Sequence, residues 1–321
     1  MNNTQVTDTI MMIRPSYFGF NSSTAADNVY QHACKDDVLE SEISKKAAFE
    51  FDEFVNVLKS AGVKVIQFTD LHKDNTPDSI FPNNWISTHS DGSIWLYPML
   101  SINRRAERRQ DIIDYLKNNF YVKNFFNHAA NYEANDQFLE GTGSMVLDRE
   151  NKIAYASLSK RTNELLFHKW CSQMNFKGCS FHATDSEKPI YHTNVLMSVC
   201  QRMVFICLDA VIDTYEKKEL VSLFKETGKE IIDISKNQMN KFLGNVLELK
   251  NSNNEPILVM STSAFNVLTN QQKQVINKCC KVVHSSLNTI EYFGGGSARC
   301  MIAELFLELN TSAKFKYPIF S

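Results

Sequence analysis

Four short segments of this 321-residue chain carry residue types that can do chemistry together. Residues 293–301 read FGGGSARCM, three consecutive glycines followed by Arg299 and Cys300. Residues 191–195, YHTNV, hold His192 and Asn194; residues 138–144, FLEGTGS, put Glu140 ahead of two glycines. Residues 81–92, FPNNWISTHSDG, form a polar stretch with Asn83, Asn84, His89 and Asp91. A thiolate is a strong nucleophile, an imidazole carries protons near neutral pH, and a carboxylate orients an imidazole or binds substrate nitrogen. Glycines lacking Cβ atoms let a substrate approach backbone N–H groups before a cysteine. Each segment also has a plainer reading. Cysteine is among the most buried residue types, so Cys300 could lie in the core beside a flexible turn. A lone histidine is usually a hydrogen-bonded structural group, and Glu140 could end a strand and accept turn N–H bonds. A phosphate loop is a weak reading, because GGGSARC lacks the GK[ST] ending.

The elements around these segments alternate. Short runs rich in strand formers recur at residues 10–13, 63–68, 93–97, 145–148, 153–157, 203–208, 245–249, 257–260 and 281–284. Helix-like stretches lie between them. Residues 37–60 place Val38, Phe51, Phe54, Val55 and Leu58 near helical spacing, and residues 104–118 show a narrow stripe of Ile112, Ile113 and Leu116. Residues 214–227 and 264–278 look similar. Alternation from end to end argues for α/β architecture, and no Pro/Ser-rich linker divides the chain, so one domain over residues 1–321 is expected.

Composition narrows the function. Net charge is −2, which builds no field for nucleic acid or an anionic membrane. The longest apolar region, residues 195–211, is broken by Gln201 and Arg202, short of the ~18 consecutive apolar residues of a membrane span. The start lacks the basic end and apolar stretch of a secretory signal, so the eight cysteines, Cys34, Cys171, Cys179, Cys200, Cys207, Cys279, Cys280 and Cys300, read as reduced thiols in the cytoplasm. None is in CxxC spacing, and the eight histidines show no zinc-like pairing, so neither metal nor cofactor is expected. The expected partner is a small molecule, not nucleic acid or membrane; a homo-oligomer is left open.

Taken in order, FPNNW, NRRAERRQDI, LEGTGSMVLD, ASLSKRTN, YHTNV, QMNKFLGNVLEL and GGGSARCM resemble the amidinotransferase and arginine deiminase superfamily, over residues 14–301. The resemblance implies the pentein fold, an α/β-propeller of five ββαβ-like units with pseudo-fivefold symmetry. It also implies a hydrolase with Cys300 as nucleophile, His192 as proton carrier and Glu140 supporting the site. The opening MIRPSYFGFNSSTAADNVYQ and the HTN variant look closest to the citrulline hydrolase branch, which implies cleavage of citrulline to ornithine, carbon dioxide and ammonia through a carbamoyl-Cys300 intermediate. Arginine or dimethylarginine hydrolysis through a thiouronium is the alternative, and a non-catalytic pentein binding protein a distant one. Arginine-hydrolysing members carry HxD where this chain has Asn194. An amide both donates and accepts hydrogen bonds, which suits a neutral ureido group better than a carboxylate does. The second guanidinium-binding acid of the family falls at His89 without a gap or at Asp91 with one. Arg161, one of Arg104 or Arg105 (Arg105 the expectation), and Asn83 or Asn84 are implied as contacts to the amino acid end of the substrate. Asn245, after Gly244, resembles a structural turn and is assigned no chemistry.

Overall fold

The computed structural model describes residues 4–25, 27–28, 30–33, 39–71 and 76–311; Cys34 and Val38 lie outside them. Five three-stranded sheets repeat one pattern. In each, a short strand pairs antiparallel with a second, and after a helix a third strand pairs parallel to the second. Ile86–Thr88, Ser93–Leu96 and Asn124–Asn127 make one such sheet around the helix Gln110–Asn119. Val146–Asp148, Ile153–Ser157 and Lys177–Phe181 make another, with Glu164–Met174. Met197–Val199, Met203–Ile206 and Glu230–Asp233 follow, with Thr214–Glu226. Leu247–Lys250, Pro256–Ser261 and Lys281–Ser285 close round Asn270–Asn277. The remaining sheet joins distant parts of the chain: Ala303–Glu304 runs antiparallel to Thr9–Arg14, which is parallel to Lys64–Thr69 beyond the helix Glu40–Ser60.

All nine expected strand runs are strands, with ends shifted by a few residues at most. The helix over residues 104–118 is in fact a 3₁₀ segment, Ile102–Glu107, followed by Gln110–Asn119. That over residues 264–278 divides into Thr262–Asn266 and Asn270–Asn277, the second opened by a capping box of Thr269 and Gln272. The helices bury one face each. Glu40–Ser60 turns Ile43, Ala47, Phe51, Phe54, Val55 and Leu58 inward, against a cluster that includes Cys300 and Met301. This packing seats the segment that carries the thiol.

The short first strands lie side by side. Met197–Val199 touches both Val146–Asp148 and Leu247–Lys250, and Ala303–Glu304 touches Ile86–Thr88. Gln5 ties two of them together, donating to the carbonyls of Leu147 and Val199 at 2.9 and 3.0 Å. Among the described residues no helix is long and apolar enough to cross a membrane.

Candidate active site

Each of the five first strands is entered from a turn that carries polar side chains. Asn83 and Asn84 precede Ile86–Thr88, Glu140 precedes Val146–Asp148, and His192 and Asn194 precede Met197–Val199. Asn245 precedes Leu247–Lys250, and Cys300 precedes Ala303–Glu304. All seven side chains are at least nine-tenths buried. Packing the first strands together brings these turns together: Gly141–Ser144 touches both Pro82–Asn84 and Thr193–Leu196.

Local chemistry fixes each turn. After Glu140 the chain makes one helical turn, Gly141–Ser144, which needs Gly141 at φ +49°; a Cβ there would lie 2.3 Å from the Asn83 carbonyl oxygen. Ser144 Oγ accepts from the Glu140 N–H at 2.8 Å and donates to the Arg161 carbonyl at 2.7 Å. Thr193 ties the histidine turn to the glutamate turn, donating to the Ser144 carbonyl at 2.6 Å. The glycine run packs against protein rather than opening onto backbone N–H groups. Cβ atoms on Gly294 and Gly296 would meet the Phe81 ring, and one on Gly295, at φ +62°, would meet Asn28.

His192 Nε2 lies 2.8 Å from Glu140 Oε2. Glu140 also accepts from the Leu100 N–H at 3.0 Å, and Arg161 and Arg104 lie 3.4 and 3.9 Å from its Oε2. Burial opposes ionisation of Glu140, but Arg161, His192 and Arg104 outweigh it and hold the carboxyl well below its usual range. Burial pushes the His192 pKa below its ordinary value, with Glu140 pulling back. Burial also pushes the Cys300 thiol up, against hydrogen bonds at Ser297, Asn245 and Asn194 and the charge of Arg299. Both shifts favour the neutral forms, a thiol on Cys300 and an imidazole on His192. Asn194, two residues beyond His192, donates from Nδ2 to Cys300 Sγ at 3.4 Å and so joins the two segments.

The other candidates divide. Asn84 belongs to the site: its Oδ1 accepts from Arg104 Nη1 at 2.9 Å, and its Nδ2 donates to Asn83 Oδ1 at 3.1 Å. A Cβ on Gly143 would touch both Asn84 and the His192 ring, so the two face each other across that glycine. His89 and Asp91 are bonded to none of Cys300, His192, Glu140 or Asn194. His89 pairs with Ser87 Oγ at 2.8 Å and Arg149 Nη1 at 3.3 Å, whereas Asp91 is exposed and caps a turn through Ser93. The reason is length: the strand Ile86–Thr88 carries them about 10 Å past the asparagines. Arg104, not Arg105, enters the buried network, with Glu107 at 2.8 and 2.9 Å. Arg105 is half-exposed and bonds the carbonyls of Met99 and Leu100. Arg161 is buried and grips Asp27 with two bonds of 2.9 and 2.6 Å, a partner that nothing in its surrounding sequence singles out.

Asn245 is the residue the sequence reading passed over. Its Nδ2 donates to Cys300 Sγ at 3.2 Å and to the Asn194 carbonyl at 2.8 Å. The available signal was Gly244, whose Cβ would lie 2.3 Å from the Val195 carbonyl oxygen and which therefore marks a close approach to the histidine turn. A groove of 540 Å³ opens nearby, walled by Tyr30, Asp185, Phe242 and Glu291, but Cys300 is not on its wall. It reaches the thiol loop through Ser297, which donates to Glu291 at 2.6 Å.

The chain belongs to the pentein amidinotransferase and arginine deiminase superfamily. Within it, a family profile described as eukaryotic N,N-dimethylarginine dimethylhydrolase matches residues 14–307, and the chain belongs to that family. It is a hydrolase of carbon–nitrogen bonds other than peptide bonds. Among solved structures, the N-terminal domain of ArgZ, an arginine dihydrolase from the ornithine–ammonia cycle in cyanobacteria, is 15% identical over 92% of this chain and 97% of that one, with a TM-score of 0.69. Unliganded AgrE is 16% identical over 95% of this chain and 40% of that one, at 0.71. A dimethylarginine dimethylaminohydrolase adduct is 15% identical over 94% and 100%, at 0.63. A search of curated proteins finds no match.

Proposed function

We propose that this hydrolase cleaves citrulline to ornithine, carbon dioxide and ammonia. The observation that carries the reading is a pair of buried polar atoms without a partner, Asn83 Nδ2 and Asn194 Oδ1. One is a donor and the other an acceptor. Asn83, which the resemblance alone assigns to the amino acid end, is here read at the other end: a ureido group offers a carbonyl to it and N–H groups to Asn194, whereas a guanidinium has donors only and leaves Asn83 unpaired. A site built around such bonds rejects an analogue that lacks them by about 10⁴-fold. The nearby carboxylates point the same way, because Glu140 is already matched by Arg161, Arg104 and His192.

In this mechanism the Cys300 sulfur attacks the ureido carbon and its proton passes to His192. The imidazolium returns that proton to the δ-nitrogen as the carbon–nitrogen bond breaks, releasing ornithine and leaving a carbamoyl thioester. His192 then takes a proton from water, which displaces the thiolate, and the carbamate falls apart to carbon dioxide and ammonia. Arg161 serves the amino acid end of the substrate by exchanging Asp27 for the substrate carboxylate. The reading also treats the five repeated sheets as blades of a pseudo-fivefold propeller forming one catalytic domain. It places the enzyme in the cytoplasm, where buried unpaired thiols such as Cys171 and Cys207 stay reduced.

The family description favours a second reading, hydrolysis of arginine or dimethylarginine through a thiouronium on Cys300. Separate incubations with citrulline, arginine, dimethylarginine and agmatine distinguish the two. Ornithine from citrulline, reduced by at least about 10³-fold in Cys300→Ala, is the expected result. Citrulline accumulating from arginine or dimethylarginine would establish the second reading instead.

A further inference from the structure

We propose that Asn245 is a catalytic residue: its side-chain amide and that of Asn194 give the Cys300 sulfur two N–H donors, which hold the negative charge that develops there when the thiol loses its proton. The distances are 3.2 Å from Asn245 and 3.4 Å from Asn194. The orientation of the Asn245 amide is fixed by its other partners. Its Oδ1 accepts from the backbone N–H groups of Arg299 and Cys300 at 3.1 and 3.4 Å, and its Nδ2 donates to the Asn194 carbonyl at 2.8 Å. Turning the amide over would set oxygen against carbonyl and N–H against N–H, so Nδ2 keeps this side, one hydrogen on the Asn194 carbonyl and the other toward the sulfur.

Beside the backbone hydrogen bond at Ser297, the other side chains round the sulfur leave this work to the amides. Arg299 adjoins Cys300 in sequence, but its guanidinium donates to Glu304 at 2.7 Å and to the Ile302 carbonyl at 2.9 Å. The Tyr191 hydroxyl donates to the Gly295 carbonyl at 2.7 Å, and His192 is bonded to Glu140. Asn245 also holds the equivalent place in its sheet to Cys300, His192, Glu140 and the Asn83–Asn84 pair in theirs, each just ahead of a first strand. With Asn245 included, every one of the five sheets supplies a side chain to the site.

The inference rests on Cys300 being the nucleophile but not on which substrate it attacks, so the test omits substrate. The rate of Cys300 alkylation by iodoacetamide, read by peptide mass spectrometry across pH, gives the midpoint of thiol ionisation. Asn245→Asp keeps the oxygen that accepts from Arg299 and Cys300 and removes the donor. Its midpoint is expected to rise by about one pH unit or more, slowing alkylation about tenfold at lower pH. Asn245→Ala, which adds no charge, shifts less than Asn245→Asp but in the same direction, and Asn194→Ala also shifts upward. A purely structural role for Asn245 lowers Tm and leaves the midpoint where it is, which overturns the proposal. If Asn245→Asp does not fold, an unchanged midpoint in Asn194→Ala overturns the two-donor arrangement. Failure of the citrulline reading shows separately, in products formed by the unaltered enzyme.

Discussion

The tautomer of His192 follows from its neighbour. Glu140 is held ionised and can only accept, so Nε2 carries the hydrogen that bridges them and Nδ1 is left as the nitrogen that moves protons in the proposed mechanism. Because burial pushes the His192 pKa below 6.5, the acid limb of kcat/KM for citrulline should fall with a midpoint below that value. A limb centred above it would rule out the neutral pair. Glu140→Gln can donate to Nε2, turning the ring to the wrong tautomer; turnover should drop by at least about 100-fold with folding preserved. Stability carries the same sign. Both groups bind protons less readily folded than unfolded, so the stability from Glu140 is complete above its unfolded value near 4.5 and is lost as pH falls below it. His192 adds a loss that begins below 6.5, where the unfolded chain takes up its proton. Denaturant midpoints between pH 7 and pH 4 should decline throughout.

At the scale of the element, the turn Gly141–Ser144 is the most sensitive. A methyl on Gly143 would lie 2.4 Å from Asn84 Nδ2 and 2.8 Å from His192 Nδ1, the nitrogen that does the work. Gly143→Ala should displace the ring and reduce kcat by about 100-fold or more, since misplacement by an ångström is enough. Steady-state kinetics and a crystal structure of the variant would check both parts. Longer elements were legible in the sequence because burial leaves a period: Lys64–Thr69 and Pro256–Ser261 are runs of strand formers, and Glu40–Ser60 has a stripe. The first strands Ile86–Thr88, Met197–Val199 and Ala303–Glu304 were not, because two or three residues cannot show alternation. The helix Glu164–Met174 had a readable start in Asn163, whose side chain accepts from the Leu166 N–H, and was still missed. The candidate site was read through the positions to which the resemblance gives a role, and so residues of the same segments without one escaped: Asp27 in the opening stretch, and the amide of Asn245 in QMNKFLGNVLEL.

For the whole molecule, the first strands meet round a buried cluster of charge. Glu304 lies 2.7 Å from Arg299 and 3.6 Å from Arg149, all three nearly shut from solvent. Glu304→Ala leaves two guanidinium groups without a carboxylate and should destabilise the fold by about 3–5 kcal/mol in urea titrations. The sheet that ends on Glu304 is also the one that joins Ala303–Glu304 to Thr9–Arg14. A ribosome must therefore deliver residues 9 to 304 before that sheet can form and bring Cys300 to its amides. Four of the five turns can assemble earlier, but the sulfur joins them only when Ala303–Glu304 pairs with Thr9–Arg14, so a nascent chain stays inert until residue 304 has been delivered. Contacts between such distant parts of a chain form slowly, which should make the gain of activity during refolding lag behind the gain of secondary structure.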